Sequence, residues 1–230
     1  MTHNNALSSL SSQLEYAFSN EALLTEALTH RSAAAINNER LEFLGDGILN
    51  FVIAARLFEQ YPDTQEGDLS RLRASLVNKD SLADIAKQLE LGEYIKLGSG
   101  ELKSGGRRRD SILADAVEAI LGAVYLDGGF DTCRSLVLRL YEEKLQNIPD
   151  VQTLKDPKTR LQELLQSRHY ALPEYTVLGV SGKAHQQMFM VECKIEELEC
   201  ITTAEGRSRR KAEQAAAEHA IEEVSRKIAS

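Results

Sequence analysis

Five carboxylates in two short stretches are the residues here whose type and spacing could do chemistry. Glu39-Arg-Leu-Glu-Phe-Leu-Gly-Asp46 puts Glu39, Glu42 and Asp46 at i, i+3 and i+7, one face of a helix within about two turns. Like charges at that spacing repel, so the face costs stability unless a cation or a partner offsets it. A solvated acidic face near a helix start, favoured by the helix dipole, is the plain alternative. Ser111–Leu126 resists so plain a reading. It is apolar almost all round, as a buried helix is, and its only charges are Asp115 and Glu118 at i and i+3. Buried carboxylates are rare unless paired or bound to metal. A dipole role near the helix start accounts for Asp115 but not for Glu118, and salt bridges to Arg107–Arg109 are the competing explanation. Two helices presenting acids inward suggest one oxygen-rich pocket. No His-x-His, HExxH or cysteine cluster competes with it, so Mg²⁺ or Mn²⁺ is the expected ion and phosphate-ester cleavage or transfer its common use. Glu66, in Gln65-Glu-Gly-Asp68, is a further candidate or simply an N-terminal helix carboxylate.

A second set is cationic. Gly206-Arg-Ser-Arg-Arg-Lys211 opens the last helix, where cations face the positive end of the dipole at a local cost. An incoming anion, naturally a phosphate, would reverse that cost, because free N–H groups and side chains would then all point at it. Lys155, Lys158 and Arg160 repeat the trait on the preceding helix; an ordinary solvated patch is the alternative in both places. His185 lies in a hairpin turn, where most histidines are only solvated. His3, His30, His169 and His219 make no catalytic arrangement, and no glycine-rich stretch fits a P-loop or dinucleotide site.

The elements that must position these groups fall into two kinds. Apolar residues at three- and four-residue steps (Leu41, Leu44, Ile48, Phe51, Ala55, Phe58) predict a helix ending before Tyr61-Pro62. Gly45 and Gly47 within it each cost about 1 kcal/mol relative to alanine, which suggests close approach by another helix or a substrate backbone. Other helices are expected near 6–18, 21–29, 66–77, 80–89, 111–126 (stopped by Asp127-Gly-Gly129) and 131–146, with a mobile loop at 98–106. Beyond them the pattern becomes a helix at 156–168, strands at 174–180, 186–195 and 197–204, and a helix from Arg209 to about Lys227. The fold class is thus an all-α unit followed by a small α+β (α-β-β-β-α) module with both helices on one face of an antiparallel sheet. Charge divides the same way: residues 1–150 carry a net −8 and residues 151–230 a net of zero. The seam, rich in proline, gives a first domain of residues 1–148, a linker of 149–155 and a second domain of 156–228.

Composition bounds the rest. With 230 residues, 43% hydrophobic and 27% charged, the chain can bury a core and is not globally disordered. No uncharged apolar run nears the roughly 18 residues of a membrane helix, and the N-terminal stretch has no secretory pattern. Three scattered cysteines suit a reducing compartment and argue against a disulfide framework or a thiolate zinc site. A soluble, cytoplasmic protein is expected.

Glu39-Arg-Leu-Glu-Phe-Leu-Gly-Asp46, with Leu28-Thr-His-Arg-Ser32 before it and Asp115-Ala-Val-Glu-Ala-Ile-Leu-Gly-Ala-Val-Tyr125 after it, resembles the signature of the ribonuclease III family. The C-terminal module, with Gly206-Arg-Ser-Arg-Arg-Lys-Ala-Glu-Gln-Ala-Ala-Ala217, resembles a double-stranded RNA-binding domain, and the match runs in order over nearly the whole chain. The resemblance implies Glu42, Asp46, Asp115 and Glu118 as metal ligands, Asp46 and Glu118 as the catalytic residues, and Glu39 and Glu66 as accessory acids. It implies a homodimer whose two sites cut opposite strands of duplex RNA by Mg²⁺-dependent phosphodiester hydrolysis, with Mn²⁺ able to substitute. The ends would be 5′-phosphate and 3′-hydroxyl with short 3′ overhangs; the substrates would be ribosomal, messenger and transfer RNA precursors. RNA contacts are implied for Lys158, Gln162, Glu163, His185, Arg209, Arg210 and Lys211. Many such domains carry another lysine where this chain has Glu213, which implies modest intrinsic affinity. A non-catalytic double-stranded RNA-binding protein is the alternative, favoured only if the acidic set were incomplete. A hydrolase of small phosphate esters fits the acids but leaves the second module idle.

Overall fold

Helical periodicity governs the first part of the chain, and two glycines decide how its central helices meet. In a computed structural model that describes residues 3–148, 150–183 and 186–229, the chain divides at Ile148/Pro149 into two compact units. The first contains α1 (His3–Gln13), α2 (Glu21–Ala27), α3 (Glu39–Gln60), α4 (Glu66–Leu76), α5 (Lys79–Gln88), α6 (Ser99–Lys103), α7 (Asp110–Leu140) and α8 (Glu142–Gln146). Asn20 and Asn78 cap α2 and α5 by accepting the Ala22 and Ser81 N–H groups. α7 runs through the middle with Ile112, Leu113, Val117, Ile120, Leu121 and Val124 all buried. It packs most extensively on α3, then on α5 and α2.

The α3–α7 crossing is close because both helices put glycine there. A Cβ on Gly45 would sit 1.8 Å from the Glu118 carbonyl oxygen, and one on Gly122 would sit 2.2 Å from that of Leu41. Gly47 has open space beside it, so of the two glycines flanking Asp46 only Gly45 serves a helix approach.

Several sequence expectations need correction. α1 stops at Gln13, short of 18: Glu15 takes a positive φ of 45°, and Arg139 bonds both the Leu14 carbonyl and the Glu15 carboxylate. The stop expected at Asp127-Gly-Gly129, by contrast, is present: Gly129 takes non-helical angles (φ +81°, ψ 177°) that divide α7 into two helical stretches, the second running to Leu140. There Asp127 looks outward from the helix and accepts hydrogen bonds from Tyr16 Oη (2.6 Å) and the Ser19 and Asn20 N–H groups (2.8 and 2.9 Å). Residues 98–106 are not a free loop. They form α6 and a tight turn, pinned by Arg109 on Glu101 (2.8 Å) and Arg107 on the Gly92 carbonyl (3.0 Å). The apolar stripe expected on α3 is offset too. Leu41 and Ile48 are buried with Leu49, Val52, Ile53 and Leu57, but Phe51 and Phe58 are 61% and 72% exposed.

The second unit holds α9 (Val151–Leu154), α10 (Pro157–Gln166), β1 (Glu174–Ser181), β2 (Met188–Ile195), β3 (Cys200–Gly206) and α11 (Arg209–Ala229). Asp156 caps α10 ahead of Pro157, accepting the Thr159 N–H. The strands form an antiparallel sheet in the order β1-β2-β3, with Cys193 opposite Thr202 and Ile195 opposite Cys200. Alternation along β2 turns Val191, Cys193 and Ile195 inward, and Leu161 and Leu165 of α10 with Ala216, Ala217, Ala220 and Val224 of α11 close over that face. The single turn α9 lies where the sequence reads as linker.

Gly45→Ala should lower the stability of the first unit by about 1–3 kcal/mol, because backbone must move to admit the methyl group. Gly47→Ala should be neutral or stabilising by up to about 1 kcal/mol. Thermal melts of both variants would decide it, and a Gly45→Ala chain as stable as the parent would refute the close crossing.

Candidate functional site

Glu42 leaves α3 one turn before Gly45, and Asp115 and Glu118 leave α7 two turns and one turn before Gly122, so the glycine crossing draws the three acids together. One carboxylate oxygen from each of Glu42, Asp115 and Glu118 lies within 4.8 Å of the others. All three are half-buried. Asp46 stands one step outside this group, exposed, with Asn50 Nδ2 donating to its Oδ1 at 2.7 Å. Its charge nevertheless acts on both Glu42 and Glu118. None of the four acids makes an ion pair among the described residues, and Arg107 and Arg109 are occupied elsewhere, which removes the salt-bridge explanation for the buried acids.

The electrostatic consequence is large. Burial first, then the charges of Asp46, Glu42 and Asp115, push the Glu118 carboxyl up to about 8. Burial also raises Glu42, with Asp115 and Glu39 adding to it. Asp115 is raised by burial against the moderating charges of His30, Arg31 and Lys79. Hard oxygen donors, crowded and with no ion-pair partner among the described residues, are a donor set that fits a divalent cation such as Mg²⁺.

Glu39 and Glu42 border a polar pocket of about 220 Å³ together with His30, Arg31, Arg109 and Asp115. Arg31 pairs with Glu39 at 3.3 Å. Sequence reasoning assigned no role to His30, Arg31 or Asn50. The first two are carried by a segment stitched to residues 96–98, with the His30 N–H donating to the Lys96 carbonyl (3.0 Å) and the Gly98 N–H to Ser32 Oγ (3.0 Å). Nothing in their spacing announces that contact, whereas Asn50, at i+4 from Asp46, could have been found from helical spacing. Glu66 does not join the cluster: it begins α4, accepts a hydrogen bond from Ser70 Oγ at 2.8 Å, and borders an apolar groove of about 440 Å³ with Phe51, Phe58 and Leu69.

In the second unit, Arg209, Arg210 and Lys211 form the exposed first turn of α11, and Ser208 Oγ accepts the Lys211 N–H at 3.2 Å. Arg210 and Lys211 make no ion pair among the described residues. The cations of α10 and the segment before it differ from expectation: Lys155 pairs with Glu163 (2.7 Å), Lys158 with Glu213 (2.7 Å) and Arg160 with Glu218 (3.2 Å). Gln162 and Glu163 are exposed on α10. His185 lies outside the described residues.

Residues 20–145 match a family profile described as ribonuclease-III-like, and residues 157–224 match the double-stranded RNA binding motif. The chain is 60% identical over 218 residues to a protein of Bordetella petrii named ribonuclease 3, covering 94% of this chain and 86% of that one. To the ribonuclease 3 of Vibrio cholerae it is 55% identical over 218 residues, covering 95% and 97%. Among solved structures it resembles the nuclease domain of ribonuclease III from Campylobacter jejuni, with a TM-score of 0.58 and 47% identity over 59% of this chain and 95% of that one. That structure is described for flexibility in a region involved in dimer formation.

The raised Glu118 gives a pH signature in metal-free solution. Below its ordinary value of 4.5 the group is protonated whether the chain is folded or not, and its full contribution to stability is present; that contribution is lost as pH rises through about 8, where folding forces ionisation beside other acids. In EDTA the melting temperature should therefore fall between about pH 5 and pH 8, and Glu118→Gln should flatten that slope. Parallel curves for the two chains would contradict the crowding.

Proposed function

The chain belongs to the ribonuclease III family, and from that premise we propose that it is an endoribonuclease that hydrolyses phosphodiester bonds in double-stranded RNA. The observation that carries this reading is the uncompensated convergence of Glu42, Asp115 and Glu118 in a chain that also holds a double-stranded RNA binding motif. The products are 5′-phosphate and 3′-hydroxyl ends with short 3′ overhangs, and the substrates are ribosomal RNA precursors with some messenger and transfer RNA precursors. The protein works in the cytoplasm; among the described residues no helix is long and apolar enough to cross a membrane.

Glu42, Asp46, Asp115 and Glu118 would hold Mg²⁺, or Mn²⁺ in its place. The bound ion supplies positive charge that eases deprotonation of water and stabilises the leaving oxygen. Asp46 and Glu118 are the catalytic carboxylates. Asn50 holds Asp46 in orientation through its side-chain amide, and the charges of His30, Arg31 and Lys79 keep Asp115 closer to its ionised form. Glu39 and Glu66 are accessory acids. Duplex RNA is held by Gln162, Glu163 and His185 in successive minor grooves, and by Arg209, Arg210 and Lys211 on the phosphates between them, with Lys158 contributing beside them. The acidic site repels phosphate until a cation fills it, so a separate anion-binding unit keeps substrate at hand.

The working form is a homodimer. Supporting it is an apolar outer face on the nuclease unit: Phe43, Phe51, Phe58 and Phe130 are 37–83% exposed, and the Phe51 and Phe130 rings meet edge to face at 5.8 Å. A second copy would cover that face, and Glu66 stands at its rim.

A long RNA duplex should be cut in Mg²⁺ and left intact in EDTA. Glu118→Ala should lose more than the roughly 10–100-fold that removal of an outer-shell partner costs, and Asn50→Ala should lose about that much, both while still retaining duplex. Retention without cutting by the parent chain, in any divalent metal, would establish the non-catalytic alternative. Phe51→Glu combined with Phe58→Glu should yield a folded monomer by light scattering; a persistent dimer would place the interface elsewhere.

A further inference from the structure

One carboxylate sits among the cations that the second unit offers to RNA. Glu213, on the second turn of α11, is only 9% exposed. Its Oε2 accepts Lys158 Nζ from α10 at 2.7 Å and its Oε1 accepts Arg209 Nε at 2.7 Å, so each oxygen is committed to a different cation. Lys158 is held further by the Tyr175 ring, 4.2 Å below its ammonium group. Arg209 spends only Nε on the pair and keeps its side chain 65% exposed. Lys158 foremost, then Arg209, hold the Glu213 carboxyl below its usual range against the effect of burial, so it is ionised at neutral pH. Beside this trio, Arg210 and Lys211 are exposed and make no ion pair among the described residues.

We infer that Glu213 is a built-in counter-ion of the duplex-binding face, occupying Lys158 and Arg209 so that an RNA phosphate meets one unit less of positive charge. This rests on the duplex-binding reading above and adds to it a residue that sets affinity and salt dependence. A carboxylate this sheltered is weakly screened by salt, and the side chains it holds are poorly placed to turn toward another anion. An arriving phosphate therefore displaces fewer solution counterions than the cation count suggests, because one of the cations already has its partner inside the protein. Loose duplex is held weakly, and retention depends on two binding units acting together in a dimer. The pair also joins α10 to α11, beside the hydrogen bond from the Lys158 N–H to Gln214 Oε1 (3.0 Å). A role as a strut alone predicts a change in melting temperature with no change in RNA binding.

The test is retention of a 30-base-pair RNA duplex by the full chain in EDTA, across a series of salt concentrations. Glu213→Gln, nearly isosteric, should bind about fivefold more tightly at low salt, and the slope of log affinity against log salt should steepen by about one. Arg209→Gln should then cost more affinity in the Glu213→Gln chain than in the parent. Unchanged or weaker binding with an unchanged slope, or equal costs of Arg209→Gln in both chains, would overturn the inference. Should Glu213→Gln melt early, the same quantity is read in the parent: Lys158→Gln should weaken binding less than Arg210→Gln, and an equal or greater loss would overturn it. A parent chain that retains no duplex at any salt sinks the duplex-binding reading itself. Normal retention with no response to Glu213→Gln sinks only the counter-ion.

Discussion

Everything in the nuclease unit hangs on how closely α3 and α7 approach. A helix pair with ordinary side chains at the contact is separated by about 8–10 Å between axes, a gap in which short acidic side chains from opposite helices would each reach solvent. With Gly45 against the Glu118 carbonyl and Gly122 against that of Leu41, the backbones touch. Glu42, Asp115 and Glu118 are then forced into a common half-buried space. The repulsion this creates is sustained by the apolar remainder of α7, whose Ile112, Leu113, Val117, Ile120, Leu121 and Val124 are buried on the surrounding helices. Core packing provides the stability, and the acidic cluster draws it down.

The two units treat charge in opposite ways. In the first, three acids converge with Asp46 beside them, and none of the four makes an ion pair among the described residues; the more distant charges of His30, Arg31 and Lys79 temper Asp115. In the second, nearly every cation on α10 or just before it is already paired within the domain, through Glu163, Glu213 and Glu218. The first arrangement stores an electrostatic deficit that a hard cation relieves. The second limits how much charge is offered to a polyanion. A nuclease that gripped any duplex strongly would be slow to leave its products, so restraint in the binding unit and demand in the catalytic unit suit one another.

Much of this is legible in the residues. Two carboxylates in an otherwise apolar Ser111–Leu126 announce a buried functional helix, and alternation along β2 announces a sheet with one covered face. Gly45 is readable as a close approach, but only the packed structure distinguishes it from Gly47, because the partner that needs the space lies on α7. The offset of the α3 stripe has a similar cause. Apolar residues occupy two sides of that helix, and periodicity alone does not say which side meets α7 and which, with Phe51 and Phe58, faces outward. The break at Gly129 is readable as a glycine stop followed by a new helix; what the sequence does not show is that Asp127 beside it is anchored to Tyr16, Ser19 and Asn20. The pairing of Lys158 with Glu213 joins residues far apart in sequence, and no local pattern reveals it.

The division of the acidic cluster between α3 and α7 also has a meaning in time. A ribosome adds about 5–20 residues per second, and Glu42 emerges long before Asp115 and Glu118. Until α7 has left the exit tunnel and closed on α3, the growing chain has acids but no assembled pocket. A nascent copy therefore lacks the assembled acidic cluster, which arrives only with the completed domain.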